Sequence, residues 1–128
     1  VADLIGSVVL TGVATPRPGG GTDVALDGGG AVVSTDEGHA GPVAVSVHPW
    51  EITVEPPLAG APSSARNRVA ARVASVTELG SRARVGLEAF GQALAAEVTP
   101  SAVSELGLAP GREVVCVWKA SATRVIER

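Results

Sequence analysis

RARVGLEAFGQALAAEVTPSAVSELG, residues 82–107, is the stretch that decides the fold. Arg82 to Glu88 alternates, with Val85 and Leu87 on one face and Arg84 and Glu88 on the other, the period of a half-buried strand. Phe90-Gly91-Gln92 supplies a hairpin turn. Ala93 to Val98 alternates again, placing Leu94, Ala96 and Val98 together. The signal then changes. Thr99 is a good N-cap, Pro100 suits the first helical position, and Gly107 suits the position just past the end. These residues predict a helix over Pro100–Leu106, with Val103 and Leu106 on its apolar side.

Working outward, Val69–Thr77 reads as a strand before this stretch, with Glu78–Ser81 as a turn. After it come the turn Ala109-Pro110-Gly111, a strand Val114–Lys119 that is apolar on both faces until its lysine, and a last strand Ala122–Ile126. Five short strands with a helix between the third and fourth make an OB-like pattern. The first half repeats the plan, with strands at Ser7–Leu10, Asp23–Asp27, Ala31–Val33, Val43–Val47 and Glu51–Val54. There the loop Asp36–Pro42 replaces the helix. Gly41 matches Gly111, Val45 matches Val115, and Val54 falls near Val125, a period of roughly 70 residues and too long for a solenoid. Gly28-Gly29-Gly30 reads as a hairpin turn, because a phosphate loop needs a lysine and a hydroxyl residue opening a helix, and neither follows. The expectation is an all-β chain of two small OB-like β-barrels in tandem, residues 1–60 and 61–128, joined by a linker over Pro56–Ser63. The first unit is expected to borrow a strand from beyond its own boundary.

Composition narrows the function. The chain has 128 residues, enough for one ordinary domain or two very small ones. Hydrophobic residues make up 45% and aromatics 2%, so any core is valine, alanine, leucine and isoleucine around Phe90, Trp50 and Trp118. Three aromatics and a net charge of −3 argue against nucleic-acid binding, which needs stacking platforms and a basic groove. No apolar run reaches the length of a membrane span. The N-terminus lacks the pattern of a signal peptide, and one cysteine excludes an internal disulfide, so a cytoplasmic setting is expected. Charge is asymmetric. Residues 1–60 hold one basic and seven acidic residues, 1 − 7 = −6, whereas residues 61–128 hold nine and six, 9 − 6 = +3. An anion would favour the second half.

Residues for such chemistry are present there. Pro62-Ser63-Ser64-Ala65-Arg66-Asn67-Arg68-Val69 sets a hydroxyl, a guanidinium and an amide just before a strand, and the planar guanidinium suits oxyanions. Lys119 ends an apolar strand, where an ammonium must snorkel or meet an anion. Thr99 places a hydroxyl at a helix start, where backbone N–H groups favour negative charge. Cys116 reads as a packed small hydrophobe. His39, His48 and the cysteine form no zinc pattern, and no Ser-His-Asp arrangement is readable, so no metal, cofactor or enzyme activity is expected.

Ser64-Ala65-Arg66-Asn67 opening a strand, Val98-Thr99-Pro100-Ser101 opening a helix, Leu106-Gly107-Leu108-Ala109-Pro110-Gly111 after it, and Trp118-Lys119-Ala120 closing a strand resemble the Mop domain, the molybdate-binding member of the TOBE group. The resemblance covers about residues 62–127. It implies that Ser64, Arg66, Thr99, Lys119 and the backbone around Ala65 and Ala120 contact a molybdate or tungstate ion, at sites between Mop units and often across a dimer. The first half looks like a diverged second copy. It lacks Ser-Ala-Arg-Asn, and His48-Pro49 stands at or next to the position of Lys119-Ala120. Val1-Ala2-Asp3-Leu4-Ile5-Gly6 looks like the junction after the ATPase domain of an ABC importer subunit. The resemblance therefore implies either the C-terminal regulatory part of a molybdate importer's ATP-binding subunit, membrane-associated through its transporter, or a free-standing two-copy binding protein. The competing class is a structural dimerisation TOBE domain without ligand. The doubly apolar strand Val114–Trp118 adds an expectation of a homodimer or higher oligomer.

Overall fold

Alternation of valines with polar or small residues sets most of the strands seen in the computed structural model, which describes residues 7–57 and 66–127. In chain order they are β1 (Val8–Pro16), β2 (Thr22–Leu26), β3 (Ala31–Ser34), β4 (Gly41–Val47), β5 (Thr53–Glu55), β6 (Asn67–Leu79), β7 (Arg82–Ala89), β8 (Gln92–Val98), helix α1 (Pro100–Leu106), β9 (Glu113–Trp118) and β10 (Arg124–Glu127). In β7 the alternation runs as expected, with Ala83, Val85, Leu87 and Ala89 buried. The helix is capped as its sequence demands. Thr99 Oγ1 accepts the Ala102 N–H at 3.1 Å, and Gly107 ends it in the left-handed conformation at φ 63°. Val103 and Leu106 pack on the core. Most of the expected linker lies outside the described residues.

All pairing is antiparallel, in two five-stranded sheets ordered β10-β4-β1-β2-β3 and β5-β9-β6-β7-β8. Each half supplies four strands to its own sheet and its fifth to the other. Arg124–Glu127 pairs with Val43–Ser46 of the first half, and Thr53–Glu55 pairs with Val115–Val117 of the second. The loan of a strand expected for the first unit is thus an exchange in both directions. It accounts for the doubly apolar β9. That strand lies between β5 and β6, and Val114, Cys116, Val117 and Trp118 are all buried within one chain. Self-association is not needed to cover it.

The halves meet through further contacts that copy backbone pairing. Gln92, at the start of β8, accepts from the Thr11 N–H at 2.8 Å through Oε1 and donates to Thr11 O at 3.1 Å and Asp27 O at 3.0 Å through Nε2. Beside it the Gly28–Gly30 turn wraps Phe90, the non-glycine residue at φ 53° in the β7–β8 turn. A Cβ on Gly30 would stand 2.6 Å from the Phe90 ring, and one on Gly28 would collide with the Phe90 carbonyl oxygen. The triple glycine is a hairpin turn, as expected, and also the seat for an aromatic ring from the other half.

Two expectations shift. Segments 49–51 and 120–122 are single 3₁₀ turns, so β5 and β10 start two residues later than the expected strands. Pro49 has no N–H to give to a ladder, and the Thr123 hydroxyl bends the second segment back by donating to Lys119 O at 2.9 Å. The internal match also moves by one residue. Val45 pairs with Val125 as Cys116 pairs with Val54, so Val45 corresponds to Cys116, and Val115 is only half-buried. The corrected offset places His48 at the position of Lys119, and Pro49 at that of Ala120.

Because the fifth strands are exchanged, residues 1–60 and 61–128 produced separately each lack a strand of their sheet. Neither is expected to show a cooperative thermal transition alone, whereas mixing them restores one, as followed by circular dichroism.

Candidate functional site

Asn67 opens β6 and is nearly fully buried, although its neighbours Arg66 and Arg68 are exposed. Its side-chain amide makes three hydrogen bonds. Oδ1 accepts the Val33 N–H at 2.7 Å, and Nδ2 donates to Val33 O at 3.0 Å and to Thr123 Oγ1 at 3.1 Å. An amide is the side chain that can donate and accept side by side, so it joins the start of β6 to β3 as a ladder rung would. Arg66, one residue before, is thereby held where the two halves meet.

Thr123 is the hub of the same network. Besides Asn67 its hydroxyl accepts the Trp118 indole N–H at 3.0 Å and donates to Lys119 O. Its carbonyl accepts from Ser34 Oγ at 2.6 Å. Asp36 completes the set: Oδ2 accepts the Val125 N–H at 2.9 Å, Oδ1 meets the Arg124 guanidinium at 3.2 Å, and its carbonyl accepts from Thr22 Oγ1 at 2.7 Å. The Thr35 N–H donates to Ala120 O at 3.3 Å. The turn carrying Lys119 and Ala120 is therefore fastened to the first half by buried, fully partnered polar groups, the condition under which burying them stabilises the fold.

This fastening divides the expected ligand set. Arg66 and Ala120 line one cleft of about 390 Å³, whose other walls come from the first half: Ser34, Thr35, Glu37 and the Arg17–Gly21 turn. Lys119, although next to Ala120, opens on a separate depression of about 410 Å³ with His48, Glu51, Ser121 and Arg124. Thr99 lines neither; its hydroxyl caps α1 and lies 3.0 Å from Ser101 Oγ. Ser64 and Ala65 lie outside the described residues. One chain thus brings Arg66 and Ala120 together and leaves Lys119 and Thr99 apart from them.

Sequence reasoning passed over Thr123 and Asp36 as builders of the site and Arg17 as a residue bordering it; it named Asn67 only as the amide of a polar run, and set His48 at or next to the position of Lys119 without giving it a role. The contacts by which Asn67, Thr123 and Asp36 join the two halves follow no local pattern, because the partners lie 34 to 89 residues apart. Among the described residues no three histidine, cysteine, aspartate or glutamate side chains gather as for a metal ion. Cys116 is the packed hydrophobe expected, and burial pushes its thiol up from 9.0 to about 12.

Residues 63–125 match the TOBE domain. The chain is 36% identical over 102 residues to the molybdate/tungstate import ATP-binding protein WtpC of Pyrococcus abyssi, covering 78% of this chain and 28% of that protein. It is 39% identical over 85 residues to WtpC of Pyrococcus horikoshii, covering 66% and 24%. The chain therefore spans about a quarter of the length of these relatives. It also resembles the solved structure of the cytoplasmic molybdate-binding protein ModG with molybdate bound, at TM-score 0.83 and 25% identity, covering 94% of this chain and 95% of that one. Among the described residues no helix is long and apolar enough to cross a membrane.

Two outcomes are expected. Asn67→Ala leaves the Val33 N–H and C=O without their partners, which costs about 2–4 kcal/mol and lowers the urea midpoint without changing the slope. The Cys116 thiol holds its proton to about pH 12 in the folded chain, whereas an unfolded thiol loses it from about 9. Its contribution to stability is therefore constant below pH 9 and falls as pH rises from there. Stability measured by urea unfolding at pH 8 and pH 10 should fall more steeply in the native chain than in Cys116→Ala.

Proposed function

Residues 63–125 belong to the TOBE domain family, and from that premise we propose that the chain binds molybdate or tungstate as a cytoplasmic regulatory or sensing module. It acts within an importer's ATP-binding subunit or as a free-standing binding protein. The observation that carries this reading is the likeness to molybdate-bound ModG over both halves, since it covers 94% of the chain and not the TOBE segment alone. The residues support it. A tetrahedral dianion leaving water needs charge and many donors, or desolvation prevails. Arg66 brings a guanidinium to the cleft between the halves, and Ala120 sits across from it on a turn that the Thr123 network keeps rigid. The family resemblance implies that Ser64 and the Ala65 backbone, just before Arg66 in sequence, contact the ion as well.

Lys119 and Thr99 do not reach that cleft within one chain, so in this reading a second copy brings them to it. This is the present ground for a homodimer or higher oligomer, in place of the apolar strand β9. A structural dimerisation domain without ligand is the competing reading. It does not account for Arg66 standing at a cleft whose walls come from both halves.

Titration calorimetry with molybdate tests the reading. The native chain is expected to bind, and Arg66→Ala to bind about ten- to a hundredfold more weakly, the cost of one charge-assisted hydrogen bond. Thr99→Val, which keeps the shape but removes the hydroxyl, is expected to weaken binding as well. No heat of binding and no rise in melting temperature with molybdate would favour the structural role.

A further inference from the structure

The two sheets correspond strand for strand, yet their outer faces differ in charge. The registers fix which positions are equivalent. Leu10 faces Val45 across its ladder as Val69 faces Cys116, so β1 matches β6 and β4 matches β9. On the outer face of the second sheet, Arg68 meets Glu55 at 3.2 Å and Arg72 meets Glu113 at 3.6 Å, while Glu88 on β7 stands opposite Arg72. At the equivalent positions the first sheet has Val9 for Arg68, Ile126 for Glu55, Val13 for Arg72, Pro42 for Glu113 and Ala25 for Glu88. All five charges of that group are replaced by apolar side chains.

Water meets this face directly. Val9 and Val13, on the central strand, are 40% and 47% exposed, and exposed Pro42 and Ala25 flank Val13 on its two sides. Thr11 lies between the valines, and its hydroxyl already donates to Asp27 at 2.7 Å within the chain. Covering it would strand no polar group. Charge returns at two opposite corners, where the exchange runs the other way. Arg124 on β10, level with Val9, stands where the second sheet has Thr53. Asp23 on β2, level with Thr15, stands where the second sheet has Gly86. Both are engaged once within the chain, Arg124 by Asp36 and Asp23 by Arg17, and both remain open to solvent.

We propose that the outer face of the first sheet is the contact surface for a second copy of this chain, packed face to face about a twofold axis. Charge commits the face to that occupant. Its centre lacks the five charges of the second sheet, so it fits a flat, uncharged surface, and sheets pack on one another through such side chains. Its corners carry opposite signs. A twofold axis lying between the faces, perpendicular to the diagonal from Arg124 to Asp23, sets each Arg124 over Asp23 of the other copy. The contact is then self-complementary and closes at two copies. Five strands about 4.8 Å apart, with outward residues from Val9 to Thr15 along β1, cover roughly 500 Å² per copy, or about 1,000 Å² in all, the lower limit of a specific interface. The second sheet, with ion pairs on its outer face, is left free. This inference does not rest on the oxyanion reading.

Sedimentation equilibrium of the full chain without molybdate tests it, so its outcome is separate from that of the ligand titration. The native chain is expected to reach about twice its 12.7 kDa at high micromolar concentration. Val13→Arg gives the first sheet the residue that the second carries at the same place. It should raise the dissociation constant at least about tenfold, because an unpaired charge would be buried in each copy. Asp23→Lys, which faces Arg124 of the other copy with a like charge, should weaken association as well. Ala70→Arg makes a comparable change on the second sheet and should leave it unaltered. These positions are solvent-facing, and circular dichroism melts check that each variant folds. A native chain that stays monomeric overturns the inference. So does association unchanged in Val13→Arg or in Asp23→Lys, or lost equally in Ala70→Arg.

Discussion

The hydroxyl of Thr123 is the point on which this structure turns. It accepts hydrogen bonds from the Trp118 indole N–H and the Asn67 amide, and donates one to the carbonyl of Lys119. Asn67 and Trp118 are buried, so their donors would be costly to leave unsatisfied. Together they fix where β9 stops, how the chain turns at Ala120–Ala122, and where β10 starts toward the other sheet. Remove this hub and the exchanged strand, the seat of Arg66 and the separation of Lys119 from Ala120 all lose their support.

A second set of contacts joins the halves elsewhere in the interface. Gln92 meets Thr11 through a donor and an acceptor, as Asn67 meets Val33. In both places an amide stands in for a peptide group where two sheets come close but cannot share a ladder. The Gly28–Gly30 turn adds shape, since Phe90 fits only where no Cβ is present. A chain poor in aromatics thus joins its halves by polar rungs and one seated ring, while a single apolar cluster runs through both sheets.

Exchange of the fifth strands has a functional consequence. Both cavities that hold candidate ligand residues are lined by both halves: Arg66 and Ala120 face Ser34 and the Arg17 turn, and Lys119 faces His48. Divergence of the first half therefore does not disable it. Loss of the Ser-Ala-Arg-Asn run there removes a guanidinium, yet its loops remain walls for the residues of the second half.

Much of this was legible in the sequence. Apolar runs bounded by turn residues, with period-two alternation at 82–88 and 93–98, located the strands, and Thr99, Pro100 and Gly107 bounded the helix, because these signals are local and each depends on the backbone's own geometry. The repeat and the charge asymmetry pointed to two units and to the second as the place for an anion. What the sequence could not say is which strand completes which sheet, since either edge offers the same N–H and C=O groups and the choice rests on side chains far away. Asn67 read as the end of a polar run, and only its meeting with Val33 and Thr123 made it the anchor. Lys119 and Ala120 read as one ligand pair. The 3₁₀ turn over Ala120–Ala122 sends them to different cavities, and that turn is fastened to the first half by Ser34, Asp36 and Thr35, residues whose meeting with it no local pattern announces.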